Sequence, residues 1–393
     1  MARLDLVSKI FAPERLTTFQ SQCLRERYPQ HDCNICLKNC PYEAIEFGKR
    51  IAVDETKCQG CGICTHMCPA GVFELNNWPD IVKQNRAAVN DRQVRIGCNK
   101  VKDRVDGEVP CLGLVSEGFL LSLAEKGAEN ICLDASACED CPANQGRSLA
   151  VIKVSTTIEI LRRFGHNPKI FFQTEHQESI PGKGGYSRRG FFLHLRDSAV
   201  KGIASFKEPA PAVGKQIEHR VSNARLLLLG SLQRLGQPMP EVLPPPGRII
   251  HGDSISGEGI APGRDSTSGN GLPFYQVEIS QACNACEFCS RLCPTGALSK
   301  LITDESEKIE KIRFNLKLCT GCGLCQKICP NEAIGFAKEV DLSWLLKAEE
   351  QELVSYAYLK CPDCERLYLE IEGGCSFCKK EVAVDTFFDE ICQ

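Results

Sequence analysis

The sequence predicts an α+β chain: small modules of cysteine loops with short paired strands, a small α/β domain on a parallel sheet, and a C-terminal knuckle of paired cysteines. Three observations carry this reading. The run Cys-x-x-Cys-x-x-Cys-x-x-x-Cys-Pro is complete at Cys283, Cys286, Cys289 and Cys293-Pro294, at Cys319, Cys322, Cys325 and Cys329-Pro330, and at Cys58, Cys61, Cys64 and Cys68-Pro69. After Trp78 the cysteine loops give way to short apolar runs alternating with helical patterns, which argues parallel strands joined by helices. The tail carries Cys361-x-x-Cys364 and Cys375-x-x-Cys378.

Composition sets the outer limits. A chain of 393 residues with 43% hydrophobic content is long enough for two or three domains with ordinary cores. Its 26 cysteines would suggest disulfides in a secreted protein, but their grouping in short runs points to metal instead. Met1-Ala2-Arg3-Leu4-Asp5 has no apolar signal core, and no run of about 18 apolar residues occurs, so a soluble, cytoplasmic protein without a membrane span is expected. A net charge of −3 gives no general reason to expect nucleic acid as a partner. The charge is uneven, basic from Tyr186 to Leu235 and acidic from Lys338 to Gln393. Solvated helix faces are the simpler account, and docking surfaces that steer redox partners the sharper one.

The cysteine runs have a chemical reason. A cubane [4Fe-4S] cluster needs four thiolates converging on one small body, and three cysteines two residues apart on a tight loop wrap three of its corners. The proline after the last cysteine fixes φ and removes a donor, which suits a loop turning away from the cluster. Zinc takes four ligands in pairs, so neither it nor a disulfide framework fits a triplet-plus-one repeat well. The doubled run at Cys283–Pro330 resembles the bacterial two-cluster ferredoxins. That resemblance implies that the last cysteine of each run crosses to the other cluster. One cluster is then held by Cys283, Cys286, Cys289 and Cys329, the other by Cys319, Cys322, Cys325 and Cys293. Ala297-Leu298 and Ala333-Ile334 begin the apolar packing around them.

The N-terminal copy is irregular. Its first run reads Cys33, Cys36 and Cys40-Pro41, with Gln30 where the first cysteine belongs. Cys23 is the natural substitute, brought back by the loop Leu24–Asp32. The expected ligand sets are therefore Cys23, Cys33, Cys36 and Cys68, and Cys58, Cys61, Cys64 and Cys40. The alternative is a [3Fe-4S] cluster with one empty corner. His66 sits at a variable position and is read as a surface or supporting residue. Ile45–Phe47 and Ile51–Val53 flank Gly48 as a hairpin.

In the middle segment, strands are expected at Val94–Gly97, up to Val109, at Ile131–Leu133 and at Lys169–Phe172. A helix capped by Ser116 carries Phe119, Leu120, Leu123 and Ala124 on one face and stops at Gly127. A longer helix spans Leu149–Phe164, with Val151, Ile152, Ile158 and Leu161 for its buried face. Cys98, Cys111, Cys138 and Cys141 fall at strand ends or in the loops that follow, where such sheets present ligands. The segment Val94–Glu178 resembles the iron-sulfur (delta) subunit of methyl-viologen-reducing hydrogenases. The matching pieces are Cys98-Asn99, Val109-Pro110-Cys111-Leu112-Gly113, Lys126-Gly127-Ala128, and a cysteine pair followed by Gly and a long helix. Val101 stands where that family has a second cysteine, and Cys138 is closer to Cys141 than its counterpart. The resemblance implies a [2Fe-2S] cluster held by Cys98, Cys111, Cys138 and Cys141. It also implies partners among hydrogenase, dehydrogenase and heterodisulfide-reductase subunits. The alternative is a docking domain with free buried thiols, as Cys132 inside its strand is expected to be.

Leu4–Phe11 reads as a short amphipathic helix. Ser187-Arg188-Arg189-Gly190-Phe191-Phe192 looks like a twin-arginine motif, but it is internal and lacks an apolar core. Val221–Leu235 reads as an amphipathic helix whose leucines need a partner surface. Pro244-Pro245-Pro246 and Gly252–Gly271 read as a tether that lets the second cysteine module move against the first. Cys361, Cys364, Cys375 and Cys378 resemble a zinc ribbon around a hairpin through Leu367–Ile371; rubredoxin-type iron would use the same sulfurs. Cys392 is left over.

The expected fold class is therefore α+β ferredoxin-like cluster modules plus a small α/β parallel-sheet domain and a C-terminal zinc-ribbon-like knuckle. The domains are an N-terminal cluster module at 1–80, the sheet domain at 90–178, a helical and flexible connector at 179–272, a second cluster module at 273–340 and the knuckle tail at 341–393. No Gly-x-Gly-x-x-Gly follows the first strand of the sheet domain, no phosphate-binding Gly-x-x-x-x-Gly-Lys loop occurs, and no nucleophile arrangement stands out among seven histidines. The expected function is non-catalytic: an electron-transfer adaptor with four [4Fe-4S] clusters, a further [2Fe-2S] cluster and zinc, working between a soluble dehydrogenase or hydrogenase and a low-potential acceptor. Two alternatives stand beside it, a reductase acting on a small disulfide or sulfur substrate and a redox-sensing regulatory or assembly factor.

Overall fold

In the N-terminal module, single-turn helices follow the cysteines and two-stranded ribbons hold the loops. The computed structural model describes residues 15–174, 218–236, 272–302, 309–370, 373–375 and 378. The readings at Leu4–Phe11, Ser187–Phe192, Pro244–Pro246, Gly252–Gly271 and Cys392 lie outside these residues. The module contains β1 (Leu16–Thr18), α1 (Leu24–Arg27), α2 (Ile35–Lys38), β2 (Ile45–Phe47), β3 (Ile51–Val53), α3 (Ile63–Met67) and β4 (Phe73–Leu75). β1 pairs antiparallel with β4, and β2 with β3 as the expected hairpin. Gly62, immediately before α3, has φ +78°, and a Cβ there would meet Leu114 at 2.4 Å. Glycine alone gives both the left-handed turn and the close approach.

The sheet domain runs α4 (Trp78–Ala87), β5 (Gln93–Cys98), β6 (Gly107–Val109), α5 (Glu117–Glu125), β7 (Asn130–Asp134), α6 (Gln145–Arg163) and β8 (Lys169–Gln173). Its four strands are ordered β6-β5-β7-β8 and all neighbours are parallel. Ile96, Ile131, Leu133, Phe119, Leu120 and Leu123 are fully buried, as in a sheet covered by helices. The Ser116 Oγ accepts the Phe119 N–H at 3.2 Å, the expected cap, which contributes about 1 kcal/mol. α6 starts four residues earlier than the pattern of apolar residues suggests. A turn bonded from Asn144 N–H to Cys141 O (2.9 Å) leads straight from the cysteine loop into it. Gly146 in its first turn then lies so close to Cys111 that a Cβ would meet the sulfur at 2.7 Å.

α7 (Asn223–Leu235), capped by Ser222, lies across α5. Its buried face carries Leu228 and Leu232, the partner surface that its leucine run called for. The crossing is close because α5 offers Gly118, whose Cβ would meet the Leu228 backbone nitrogen at 2.5 Å.

The C-terminal module repeats the wiring of the first: β9 (Val277–Ile279), α8 (Phe288–Leu292), β10 (Leu298–Ile302), β11 (Ile309–Phe314), α9 (Leu324–Ile328) and β12 (Ile334–Phe336). β9 pairs with β12 and β10 with β11. β13 (Gln351–Lys360) then joins β11, and β14 (Leu367–Leu369) joins β13, so the knuckle grows out of the module's own sheet. The turn between β13 and β14 holds the first cysteine pair, so the hairpin surrounds that pair rather than lying between the two pairs.

The expectation that the second module moves freely against the first is corrected by the contacts between them. All described residues belong to one compact unit. The segment Glu218–Asn223 is wedged between equivalent loops of the two modules: Arg220 N–H donates to Pro294 O (2.9 Å), and its guanidinium donates to Gly71 O (3.2 Å) and pairs with Glu74 (2.6 Å). Gln22 donates to Glu218 O at 3.0 Å. Leu324 of α9 packs in the N-terminal core, and Leu121 and Leu161 of the sheet domain pack in the core of the C-terminal module. Buried polar and apolar contacts of this kind hold parts together where a tether alone would not.

Candidate metal centres

The fold gathers the cysteines into five groups and a knuckle. Centre I is a cavity lined by Cys23, Cys33, Cys36 and Cys68, together with Phe47, Ile51, Val72 and Phe73. Cys23 reaches it because a short turn ends at Cys23 and α1 begins directly after it. Gln30, at the position missing a cysteine, is exposed and accepts a hydrogen bond from the Tyr28 hydroxyl at 2.6 Å. Burial pushes the Cys36 thiol up to about 12, and its neighbours Cys68, Cys33 and Cys23 push in the same direction. Like charges this close cannot all ionise without a cation among them.

Centre II groups Cys40, Cys58, Cys61 and Cys64. Burial raises Cys64 well above the ordinary thiol range, and Cys61, Cys58 and Cys40 add to it. Cys61 is pushed up to about 12 by burial, with Cys111, Cys40 and Cys58 contributing. The fold thus places Cys111 of the sheet domain beside centre II.

Centre III, at the carboxyl ends of β5, β6 and β7, groups Cys98, Cys111, Cys138 and Cys141. Burial takes Cys111 and Cys138 each up to about 11; Cys138, Cys98 and Cys141 add to the first, and Cys98 and Cys141 to the second. Tyr42 lies between centres II and III: burial raises its hydroxyl first, then Cys141, Cys61, Cys111 and Cys40. Cys132 is buried in β7, its sulfur 4.0 Å from Gln173 Oε1 and outside the group.

Centre IV is a cavity lined by Cys283, Cys286, Cys289 and Cys329 with Phe288, Ile312 and Ile334. Centre V groups Cys293, Cys319, Cys322 and Cys325, where burial raises Cys325 strongly and the other three thiols add to the effect. In each module the last cysteine of one run therefore stands among the triplet of the other. His66 is no part of any group; its Nδ1 is 3.1 Å from Gly113 O and its ring meets Trp78 edge-on.

The residues suit iron-sulfur clusters on the chemistry of the donors. Sulfur acceptors already face backbone N–H groups: Ala44 to Cys40 (3.3 Å), Gly60 to Cys58 (3.4 Å), Val72 to Cys68 (3.5 Å), Gly113 to Cys111 (3.4 Å) and Ala333 to Cys329 (3.3 Å). Such bonds stabilise thiolate and tune cluster potentials. At the knuckle, Cys361 and Cys378 sulfurs are 3.8 Å apart and those of Cys364 and Cys375 3.6 Å apart, and all four lie within 4.8 Å of one another. A tetrahedral metal with sulfur bonds of about 2.3 Å sets sulfurs about 3.8 Å apart, so the four suit one small ion.

Comparison with known proteins adds the family evidence. Residues 31–72 and 282–333 each match the profile of the 4Fe-4S dicluster domain. An uncharacterized protein of Methanothermobacter thermautotrophicus is 40% identical over 47 residues, which cover 12% of this chain and 10% of that protein. UacF of Escherichia coli K12, whose description reads "putative oxidoreductase", is 27% identical over 134 residues, which cover 32% of this chain and 19% of UacF. The chain thus spans about a tenth and about a fifth of the lengths of these two relatives. It carries iron-sulfur 4Fe-4S ferredoxin-like domains, and 32% of it is similar to UacF. No helix among the described residues is long and apolar enough to cross a membrane.

Sequence reasoning missed the residues between the centres. Arg27, Arg225 and Tyr42 touch or adjoin cysteine groups far from them in sequence. No local spacing signals a contact across 266 positions, such as that of Arg27 with Cys293 O.

Proposed function

We propose that this chain is an adaptor that passes electrons between a soluble dehydrogenase or hydrogenase and a low-potential acceptor such as a heterodisulfide-reductase-like complex. The observation that carries this reading is the linear order of the cysteine groups. Centre III adjoins centre II: Gln145, just after Cys141, donates to Asn39 O beside Cys40 at 2.6 Å, and Cys111 lies within electrostatic reach of Cys61. Centres II and I share the N-terminal dicluster domain, where Cys64 and Cys68 are neighbours. Arg27, four residues after Cys23, spans from centre I to Cys293 of centre V, and Cys289 brings centre IV beside Cys325 of centre V. The series III–II–I–V–IV ends in the sheet domain on one side and in the dicluster domain that bears the knuckle on the other.

When bound, the clusters supply one-electron carriers. The chain's part is to hold them, with Cys23 as the fourth ligand of centre I, Cys98, Cys111, Cys138 and Cys141 as ligands of a [2Fe-2S] cluster, and zinc in the knuckle as a structural ion. The likeness of residues 94–178 to the hydrogenase delta subunit supports docking of the electron donor at the sheet domain. Four complete sets of thiols leave no iron open to substrate, which favours transfer over bond-making chemistry.

Metal and acid-labile sulfide analysis of anaerobically purified protein tests this, together with low-temperature EPR after dithionite reduction. About sixteen irons from four cubanes, about two more from centre III and about one zinc are expected. An iron content near eight, or consumption of a disulfide substrate at a rate matching electron input, overturns the adaptor reading.

A further inference from the structure

Centre V differs from the other centres in what surrounds its thiols. Two arginines are buried against it, and neither belongs to its own cysteine runs. Arg27 comes from α1 of the N-terminal domain and is only 9% exposed. Its guanidinium donates to Cys293 O and Leu292 O, both at 3.4 Å, and lies within electrostatic reach of Cys293 and Cys322. Its Nε has no partner among the described residues. Arg225 comes from α7 and is 7% exposed. It donates to Cys319 O (2.9 Å), Lys317 O (2.8 Å), Pro273 O (2.6 Å) and Leu316 O (3.3 Å).

The hydrogen bonds at sulfur differ as well. Cys40, Cys68 and Cys329, which cross between runs, each accept the backbone N–H four residues on. Cys293, the crossing cysteine of centre V, is instead met by the Thr295 hydroxyl at 3.7 Å.

The other centres lack this setting among the described residues. Arg15 near Cys58 of centre II and Arg147 near Cys138 of centre III are exposed, so water and salt screen their charge. At centre I, Glu26 bears on Cys23 with the opposite sign, and the half-buried Arg25 lines the cavity with its guanidinium stacked on Phe47 rather than bonded to the cysteine backbone. A guanidinium stays protonated at any ordinary pH, and a positive charge in a low-dielectric interior acts strongly on its neighbours.

We propose that Arg27 and Arg225 make centre V the highest-potential cluster of the series, the one on which an electron entering from either end comes to rest. Adding one electron makes a cluster with its four thiolates more negative by one charge, and two fixed positive charges favour that state without any bond forming or breaking. Because Arg27 belongs to the other dicluster domain, this potential exists only while the two domains are packed together. Both arginines also satisfy backbone carbonyls, but a purely structural clamp would leave the potential where it was.

The inference rests on the cluster reading above. Its test is a potentiometric titration of the anaerobic full-length protein followed by EPR. In the wild type one [4Fe-4S] signal should develop at a clearly higher potential than the other three. In Arg27→Gln and Arg225→Gln that signal should move to lower potential, further in the double variant, and by more than any other signal; Arg27→Lys, which keeps the charge, should stay near the wild type. Iron-complete Gln variants that titrate as the wild type does overturn the inference. Should the Gln variants lose iron, the wild type labelled with ¹⁵N-arginine and reduced by less than one electron per chain decides. Coupling of arginine nitrogen to the first-reduced cluster that persists in Arg15→Gln, Arg25→Gln and Arg147→Gln backgrounds supports the inference, and its absence overturns it. An iron content near eight in the wild type would instead overturn the four-cluster reading beneath it.

Discussion

Single residues decide how complete each centre is. Cys23 shares a cavity with Cys33, Cys36 and Cys68, while Gln30 points to solvent. Cys23→Ser is expected to turn one cubane signal into a [3Fe-4S] signal, or to remove about four irons from the total, as iron analysis and EPR of the oxidised protein will show. Full iron content with unchanged spectra would mean that centre I has another fourth ligand. Away from the thiols, Glu117 is buried and pairs with Lys153 at 2.8 Å. Burial pushes its carboxyl up, but Lys153 outweighs this and holds it below its ordinary 4.5. The lowered value means that the pair's stabilisation is complete above pH 4.5 and is lost as pH falls through the value in the fold. Lys153→Met strands a buried carboxylate and should cost about 3 kcal/mol near neutral pH. In thermal unfolding its deficit relative to the wild type should shrink below about pH 4.5; a deficit constant with pH would show that packing, not charge, is what Lys153 supplies.

At the scale of elements, the crossing of α5 and α7 sets where the C-terminal domain sits, because Arg225 leaves α7 to bind the backbone around Cys319. The crossing depends on Gly118. A methyl group there meets the Leu228 nitrogen at 2.5 Å and its Cα at 2.9 Å, and backbone cannot yield as a flexible side chain does. Gly118→Ala should therefore lower stability by about 1–3 kcal/mol, read as a lower thermal midpoint, and should also disturb the EPR of centre V through Arg225. An unchanged midpoint would mean that the two helices part at no cost. Most elements were legible beforehand for local reasons. The β2–β3 hairpin, the Ser116 cap and the parallel strands at Val94, Ile131 and Lys169 follow from turn chemistry, capping and apolar runs. The early start of α6 was not, since Gln145 to Ser148 carry no apolar face and owe their helical state to the turn at Cys141 and to packing against Gly113.

For the whole molecule, the two cysteine modules pack against each other through an exposed rim and a buried interior. Their rim carries Lys327 with Asp32 at 2.6 Å, with Asp32 84% exposed; their interior carries Arg27, Gln22 and the wedged segment Glu218–Asn223. An exposed pair contributes at most about 1 kcal/mol. Lys327→Ala should accordingly leave the thermal midpoint and the potential of centre V almost unchanged, and a large effect of either kind would move the basis of the packing from the interior to the rim.

The iron-sulfur character of this protein was legible in its local cysteine spacing. Ligand spacing is local: four thiolates must converge on a body a few ångströms across, so the runs at Cys58–Cys68, Cys283–Cys293 and Cys319–Cys329 announce their clusters, and the repeat of the pattern announces two similar modules. The tertiary structure alone decided how the centres follow one another. The hydrogen bonds that join distant parts at the centres, Arg27 to Cys293 O and Arg225 to Cys319 O, link residues 266 and 94 positions apart. They arise from burial and from backbone carbonyls that need donors, and neither requirement leaves a periodic mark in the chain.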